Sequence, residues 1–226
     1  MTTTLERKIR MSTSQEVMTL NLLILGGTGR VGSKIVSYAL RDGHQVTVLA
    51  RTPEKLGLNH DEKLKVIQGN VLNENDIMAA MRGIDVVISA LNTDGSTTLT
   101  DSMPLIINAM EQEVIRRIIT VGTAGILQSR TTPNLLRYQS SESKRKSTRA
   151  AEEHHRVYEM LRESTLDWTI VCPTYLPDEA SQDEYRVQTN YLPEGGTKIS
   201  VSDTAQFVYN QIKNTEFIKL RVGIAY

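Results

Sequence analysis

A glycine-rich turn lies between the first apolar strand and the first amphipathic helix of the chain. Residues 20–25 are largely apolar, residues 26–32 read GGTGRVG, and residues 30–41 place apolar side chains at helical spacing. Glycines permit a sharp turn and let a phosphate approach the backbone, where free N–H groups and the positive helix end bind it. In this strand–turn–helix context the spacing predicts a dinucleotide pyrophosphate site rather than a turn without a ligand. The glycines of this site can be read as Gly27-x-Gly29-x-x-Gly32 or as Gly26-x-x-Gly29-x-x-Gly32.

Short apolar runs then alternate with helical segments along the chain. Further strands are predicted at residues 45–50, 64–68, 85–90, 117–121 and 167–172. Helices are predicted at 73–82 and 101–113, and a third follows the polar residues 127–149 and reaches about Glu163. Pro104 fits the first turn of the second of these helices. The alternation is typical of an α/β protein with one doubly wound, Rossmann-like parallel sheet that is covered on both faces.

The C-terminal part predicts a small extension on the substrate side of this sheet. A hairpin joins residues 185–191 to 198–201, a helix is capped by Ser202 or Asp203, and a last strand lies at 217–222. No linker marks a second domain, so residues 18–226 are predicted to form one domain. The polar residues 1–17 are predicted to form a flexible tail.

The composition excludes several classes of function. Among 226 residues, 26 basic groups balance 26 acidic groups, which argues against a general nucleic-acid binder. No apolar run approaches the roughly 20 residues of a membrane span. The single cysteine, Cys172, lies in an apolar strand, so it is predicted to be buried and inert. A chain with one cysteine cannot form an internal disulfide, which suits a cytoplasmic protein. No metal site is predicted, because the histidines lack zinc-ligand spacing.

The end of the second strand indicates which cofactor binds. An enzyme that uses NAD usually has an acidic residue there for the ribose hydroxyls, whereas this chain has Arg51 and Thr52. An arginine suits the 2′-phosphate of NADP, and Lys55 offers a second cation. NADP(H) is therefore favoured over NAD(H), the alternative being a solvated arginine on a loop.

Several motifs together resemble a known family. They are GGTGRVG at 26–32, VTVLAR at 46–51, GNVL at 69–72, VGTAG at 121–125, LRES at 161–164 and DWTIVCP at 167–173. From about residue 20 onward the chain resembles the NmrA-like NAD(P)H-binding group of atypical short-chain dehydrogenase/reductases, in particular its flavin reductase or biliverdin IXβ reductase branch. The chain departs from that pattern at Thr123, where serine is usual, and at Tyr175, where the branch has histidine.

The resemblance implies a cofactor site assembled from strand ends. The pyrophosphate would be met by Thr28, Gly29, Arg30, Val31 and Gly32. Asn70 and Val71 would flank the adenine, and Thr123 would approach the nicotinamide. The remaining cofactor contacts that it implies are Ala90, Leu91, Asn92, Pro173, Thr174 and Tyr175. It also implies Thr123, Tyr175 and His154 as catalytic residues, although a purely structural histidine at 154 is an equal alternative.

The acid–base pair of classical family members, Tyr-x-x-x-Lys, is not found where it would be needed. Tyr158 is followed by Arg162, and the Tyr209–Lys213 pair lies on the C-terminal helix. The chain is therefore predicted to reduce a small conjugated acceptor, such as a flavin, quinone or tetrapyrrole, which accepts hydride without a protein acid. The acceptor is expected at the C-terminal edge of the sheet, beneath residues 126–150 and the predicted hairpin, with the protein a monomer or homodimer. The alternative is a non-catalytic NADP(H) sensor that acts through a protein partner.

Overall fold

An eight-stranded sheet forms the centre of the computed structural model, which describes residues 18–57, 61–143, 145 and 147–226. The tail predicted for residues 1–17 lies outside the described residues. The strands are β1 (Asn21–Leu25), β2 (Gln45–Ala50), β3 (Leu64–Gln68), β4 (Val86–Ser89), β5 (Arg117–Val121), β6 (Asp167–Pro173), β7 (Arg186–Thr189) and β8 (Leu220–Ala225). The helices are α1 (Arg30–Arg41), α2 (Glu74–Met81), α3 (Thr98–Gln112), α4 (Arg149–Glu163) and α5 (Val201–Asn210).

The strand order is β3-β2-β1-β4-β5-β6-β8-β7, and every neighbouring pair is parallel except β8 with β7. Because β1 lies between β2 and β4, the chain crosses to the other half of the sheet after β3. Ligands of such sheets bind outside the carboxyl ends of the strands at this reversal. The predicted doubly wound fold is confirmed, and the glycine turn after β1 lies at the reversal.

Helices cover both faces of the sheet. α1 and α5 pack against each other on one face, while α2, α3 and α4 cover the other. In β1, Leu22 and Ile24 point into the first layer and Leu23 and Leu25 into the second, and all four are fully buried. Burial of apolar side chains on both faces stabilises the central strands and fixes the edge at which they end.

The C-terminal extension pairs differently from the prediction. β7 pairs antiparallel with β8, instead of forming a hairpin with residues 198–201. Lys198 forms a single parallel bridge with Tyr175, just after β6. The turn at residues 193–196 is present, but the chain that follows it lies beside the residues after β6 and not beside β7. The predicted hairpin is wrong because a turn in the sequence does not specify which strand the following segment meets.

The boundaries of α5 and β8 also differ from the prediction. The hydroxyl of Ser200 accepts the N–H of Asp203 at 3.0 Å and caps α5, so the predicted caps Ser202 and Asp203 lie inside the helix. β8 begins at Leu220 rather than at residue 217.

α3 begins three residues before the predicted start at Asp101. Asp94 accepts hydrogen bonds from the hydroxyls of Ser96 and Thr98, and these bonds lower the pKa of Asp94 to about 2. They fold residues 94–98 into a turn from which the helix starts. Pro104 consequently lies in the helix interior rather than in the first turn, where its missing N–H removes one helical hydrogen bond.

Candidate functional site

Three N–H groups at the start of α1 have no acceptor in the described part of the chain. They belong to Arg30, Val31 and Gly32, and the N-cap residue Gly29 has no side chain that could satisfy them. No acidic residue occupies the first turn. The positive end of the helix and these free donors therefore fit an anionic phosphate.

The glycine turn has room for a ligand only on one side. Gly26 has a φ of +77°, and a Cβ there would lie 2.5 Å from the carbonyl oxygen of Ala90. A Cβ on Gly32 would overlap the carbonyl oxygen of Gly26. At Gly29 a Cβ would meet only that carbonyl oxygen, at 3.3 Å. The backbone is thus packed tightly against the residues that follow β4, and Gly29 is the glycine of the turn with the fewest close neighbours, a shape that fits a pyrophosphate on that side.

The side chain of Arg30 contacts other parts of the protein. Its guanidinium donates to the carbonyl oxygen of Leu176 at 3.1 Å and forms an ion pair with Asp178 at 3.3 Å. The backbone N–H of Arg30 remains available at the helix start. The guanidinium links the start of α1 to the segment after β6.

The carboxyl end of β2 carries exposed positive charge. Arg51, Thr52 and Lys55 are all exposed, and neither cation forms an ion pair with a described residue. A short 3₁₀ helix at Pro53–Leu56 places Lys55 one turn beyond Arg51. Both cations can therefore reach a phosphate at this end of the strand.

The ends of β3 and β4 complete this edge. The N–H of Asn70 donates to Asp76 at 2.8 Å, and Val71 is buried. After β4, Ala90 donates its N–H to Leu25 at 2.8 Å and lies directly against Gly26. Leu91 and Asn92 follow, the first partly buried and the second exposed.

A cavity of about 750 Å³ opens beyond the ends of β5 and β6. Its wall is formed by residues after β5, by the 130–147 segment, by the start of α4, by residues after β6 and by residues 192–197. It therefore lies where the acceptor is expected. A cavity of this size holds a ligand of drug or cofactor-ring dimensions.

Three of the predicted site residues line this cavity. Thr123 follows β5, and its hydroxyl accepts the N–H of Gly125 at 3.4 Å. Thr174 and Tyr175 follow β6, and Tyr175 is 60% exposed. Its backbone is fixed, because its carbonyl oxygen accepts the N–H of Ile199 at 2.9 Å. Tyr175 thus presents an exposed aromatic ring from a rigid backbone.

His154 is not brought to the cavity. It lies on the buried face of α4 with 8% of its surface exposed, and it is not part of the cavity wall. Burial lowers the pKa of His154 to about 4, so the imidazole is neutral near pH 7. The geometry therefore fits the structural alternative for this histidine and not a proton donor.

The two tyrosines of the incomplete motifs also lie away from the cavity wall. The ring of Tyr158 packs edge-on against Trp168. The guanidinium carbon of Arg221 lies 4.3 Å from the centre of the Tyr158 ring. The hydroxyl of Tyr209 donates to Asp42 at 2.8 Å, between α5 and α1. Burial, together with the bond to Asp42, raises the pKa of Tyr209.

The cavity wall also contains residues that the sequence did not single out. Glu142 accepts the N–H of Thr131 at 2.8 Å and forms an ion pair with Arg137 at 2.6 Å. It also accepts the N–H of Arg130. These bonds hold the segment after β5 over the cavity. The segment is polar and aperiodic, so its sequence carries no pattern that predicts them.

The fold and the glycine turn together define a nucleotide-binding α/β protein, and a separate cavity lies beyond the ends of β5 and β6. Residues 26–215 match the family described as NAD(P)H-binding, and the chain belongs to that family. Proteins similar to this chain include a 3-beta-hydroxysteroid dehydrogenase from Mycolicibacterium neoaurum and an isoflavone reductase homolog from Zea mays, which agrees with the predicted class. Cys172 is fully buried, as expected, and no described helix has the length and apolar character to span a membrane.

Individual relatives match the chain over different extents. Photosystem II assembly factor Ycf39 from Synechocystis is 31% identical over 81 residues, which are 36% of this chain and 25% of that protein. The chain thus covers about a fifth to a third of the length of the curated relatives it matches. A candidate epimerase from Bacteroides thetaiotaomicron is 26% identical, with a TM-score of 0.81 over 92% of this chain and 97% of the other. A candidate NADH-flavin reductase from Streptococcus pneumoniae is 22% identical, with a TM-score of 0.76 over 91% and 99%.

Proposed function

We propose that the chain is an NADPH-dependent reductase that transfers hydride to a conjugated acceptor such as a flavin, quinone or tetrapyrrole. The observation that carries the proposal is the 750 Å³ cavity, which has Thr123 and Tyr175 on its wall and begins where the nucleotide edge of the sheet ends. One ligand along the strand ends and a second in the cavity would meet at these residues. Hydride transfer needs such a meeting.

The residues at the strand ends supply the cofactor site in this proposal. The N–H groups at the start of α1 bind the pyrophosphate, and Arg51 with Lys55 binds the 2′-phosphate. Asn70, Val71 and residues 90–92 line the adenosine and ribose portions. Bound NADPH supplies the hydride that the acceptor receives.

The cavity residues position the acceptor. Thr123 offers a hydroxyl beside the nicotinamide position, and the exposed ring of Tyr175 offers a stacking surface. His154 is buried and neutral, so it supports the α4 packing in this proposal and does not transfer a proton. Because the motif tyrosines 158 and 209 lie elsewhere, the proposal selects acceptors whose protonation can come from water.

The test is NADPH oxidation by the purified chain against a panel of flavin, quinone and tetrapyrrole acceptors. The expected result is turnover well above the rate without protein for at least one acceptor. An active-site control is Tyr175→Ala, and Tyr158→Phe is a matched tyrosine control outside the cavity. Tight NADPH binding without turnover of any acceptor would contradict the proposal and favour the non-catalytic sensor.

A further inference from the structure

The guanidinium of Arg130 is held at the cavity wall by neutral groups. The Nη2 group of Arg130 donates to the side-chain oxygen of Gln188 at 2.6 Å and to the carbonyl oxygen of Leu192 at 3.1 Å. Its guanidinium carbon also lies 4.9 Å from the ring centre of Tyr191. All three partners are neutral, and no described carboxylate lies within ion-pair distance. Arg130 is therefore held in place with its charge available.

The charges of the cavity wall do not cancel. Arg137 and Glu142 form an ion pair with each other at 2.6 Å and neutralise one another. The other charged residues of the described wall are two cations, Arg130 and Arg145, and one anion, Glu194. The wall consequently carries an excess of positive charge, which attracts an anion.

This positive charge does not belong to the nucleotide edge. The pyrophosphate residues at the start of α1 and the cations at the end of β2 are not part of the cavity wall. Arg130 instead lies on the segment after β5 and contacts residues that follow or belong to β7. A phosphate or carboxylate that reaches Arg130 therefore belongs to the second ligand.

We propose that Arg130 is the anion-binding residue of the acceptor site and selects conjugated acceptors that carry a phosphate or a carboxylate. This inference rests on the proposed function, because it describes the second ligand of the same cavity. The Nη1 and Nε groups of Arg130 have no partner among the described residues and can donate to an oxyanion. The contacts to Gln188 and Tyr191 hold the guanidinium before the ligand arrives, which lowers the entropic cost of binding.

Two pairs of acceptors isolate the anionic group. FMN and riboflavin share one ring system, but only FMN carries a phosphate. A linear tetrapyrrole dicarboxylate and its dimethyl ester share one chromophore, but the ester carries two uncharged methyl ester groups in place of the two carboxylates. Binding of each compound is measured by fluorescence or absorbance titration with the protein saturated with NADP⁺, for the parent, Arg130→Gln and Arg130→Lys. Arg156→Gln is the matched control, because Arg156 is exposed on α4 outside the cavity wall. Thermal unfolding checks that each variant is folded.

The expected result is that the parent binds the anionic member of at least one pair about tenfold more tightly, and that Arg130→Gln removes most of this preference. Arg130→Lys should keep part of it, and Arg156→Gln should keep all of it. The phosphate and carboxylate pairs then identify the source of the anion. Equal affinities within both pairs, an unchanged preference in Arg130→Gln, or no binding of any of the four compounds would overturn the inference. Selective binding without NADPH turnover would reject the proposed function and leave the role of Arg130 standing.

Discussion

Replacing Arg51 by alanine should remove most of the preference for NADPH over NADH. Arg51 is exposed at the carboxyl end of β2 and has no ion-pair partner among the described residues. Its guanidinium is therefore available to the 2′-phosphate, the only group by which NADPH differs from NADH. That phosphate carries close to two negative charges.

The magnitude follows from the exposure of this site. A charge-assisted hydrogen bond is worth on the order of 1.5–3 kcal/mol, and solvent reduces the contribution of an exposed pair. We expect a net preference of about 2 kcal/mol, or roughly thirtyfold in affinity. Arg51→Glu should reverse part of the preference, because a carboxylate repels the phosphate and can accept from ribose hydroxyls. Added salt should shrink the preference.

Calorimetric titration of both cofactors into the parent and the variants measures the ratio directly. Arg82→Ala is the matched control, because Arg82 is an exposed arginine at the end of α2, near the amino ends of the strands. Equal affinities for NADH and NADPH in the parent, or the same ratio in the parent and Arg51→Ala, would refute the assignment of the 2′-phosphate to Arg51.

Three further predictions address the rest of the site. Because the ring of Tyr175 is proposed to stack on the acceptor, Tyr175→Ala should lower turnover of the best acceptor about tenfold, while Tyr175→Phe should retain it. Steady-state kinetics measure both, and full activity in both variants would exclude stacking by Tyr175. Gly29→Ala should lower the unfolding temperature only slightly, because its methyl group would meet one atom, the carbonyl oxygen of Gly26 at 3.3 Å. It should bind NADPH and NADH about tenfold more weakly, because the methyl group adds bulk next to the N–H groups at the start of α1; unchanged cofactor titrations would contradict this. Burial favours a raised pKa for Glu142, but the N–H groups of Thr131 and Arg130, with Arg137, outweigh it and lower the pKa. The carboxylate of Glu142 therefore stabilises the fold at pH values above the usual pKa range of Glu, and this stabilisation is lost as the pH falls through the lowered pKa. Glu142→Gln should cost about 1–3 kcal/mol of unfolding free energy at pH 7 and less in acid. A difference in denaturant unfolding that does not change with pH would argue against this.

The sequence predicts the nucleotide half of the fold well, because its signals are local. β1, β2 and β3 are short runs rich in apolar residues, and the glycine turn and α1 directly follow β1. The start of α5 and the position of β7 are harder to predict. Ser200 can be recognised as a cap only once the helix start is known, and β7 reaches its place through pairing with β8, about 35 residues later.

The candidate site divides in the same way. Gly26 and Arg51 stand out because their neighbours in sequence define their surroundings. Arg130 does not, because its partners lie about 60 residues away on the chain. The position of His154 could have been recognised, since Val157 and Leu161 follow it at helical spacing and both are buried.

The burial of Cys172 gives the protein an internal reporter of its own stability. It is the only cysteine of the chain, it is fully buried in β6, and burial raises the pKa of its thiol to about 12. A thiol reagent can therefore reach it only when the centre of the sheet opens. If opening and closing are fast compared with labelling, the labelling rate gives the free energy of that opening without denaturant. Ligands that bind the folded chain would slow the labelling in proportion to their affinity, so a single residue would report cofactor and acceptor binding alike.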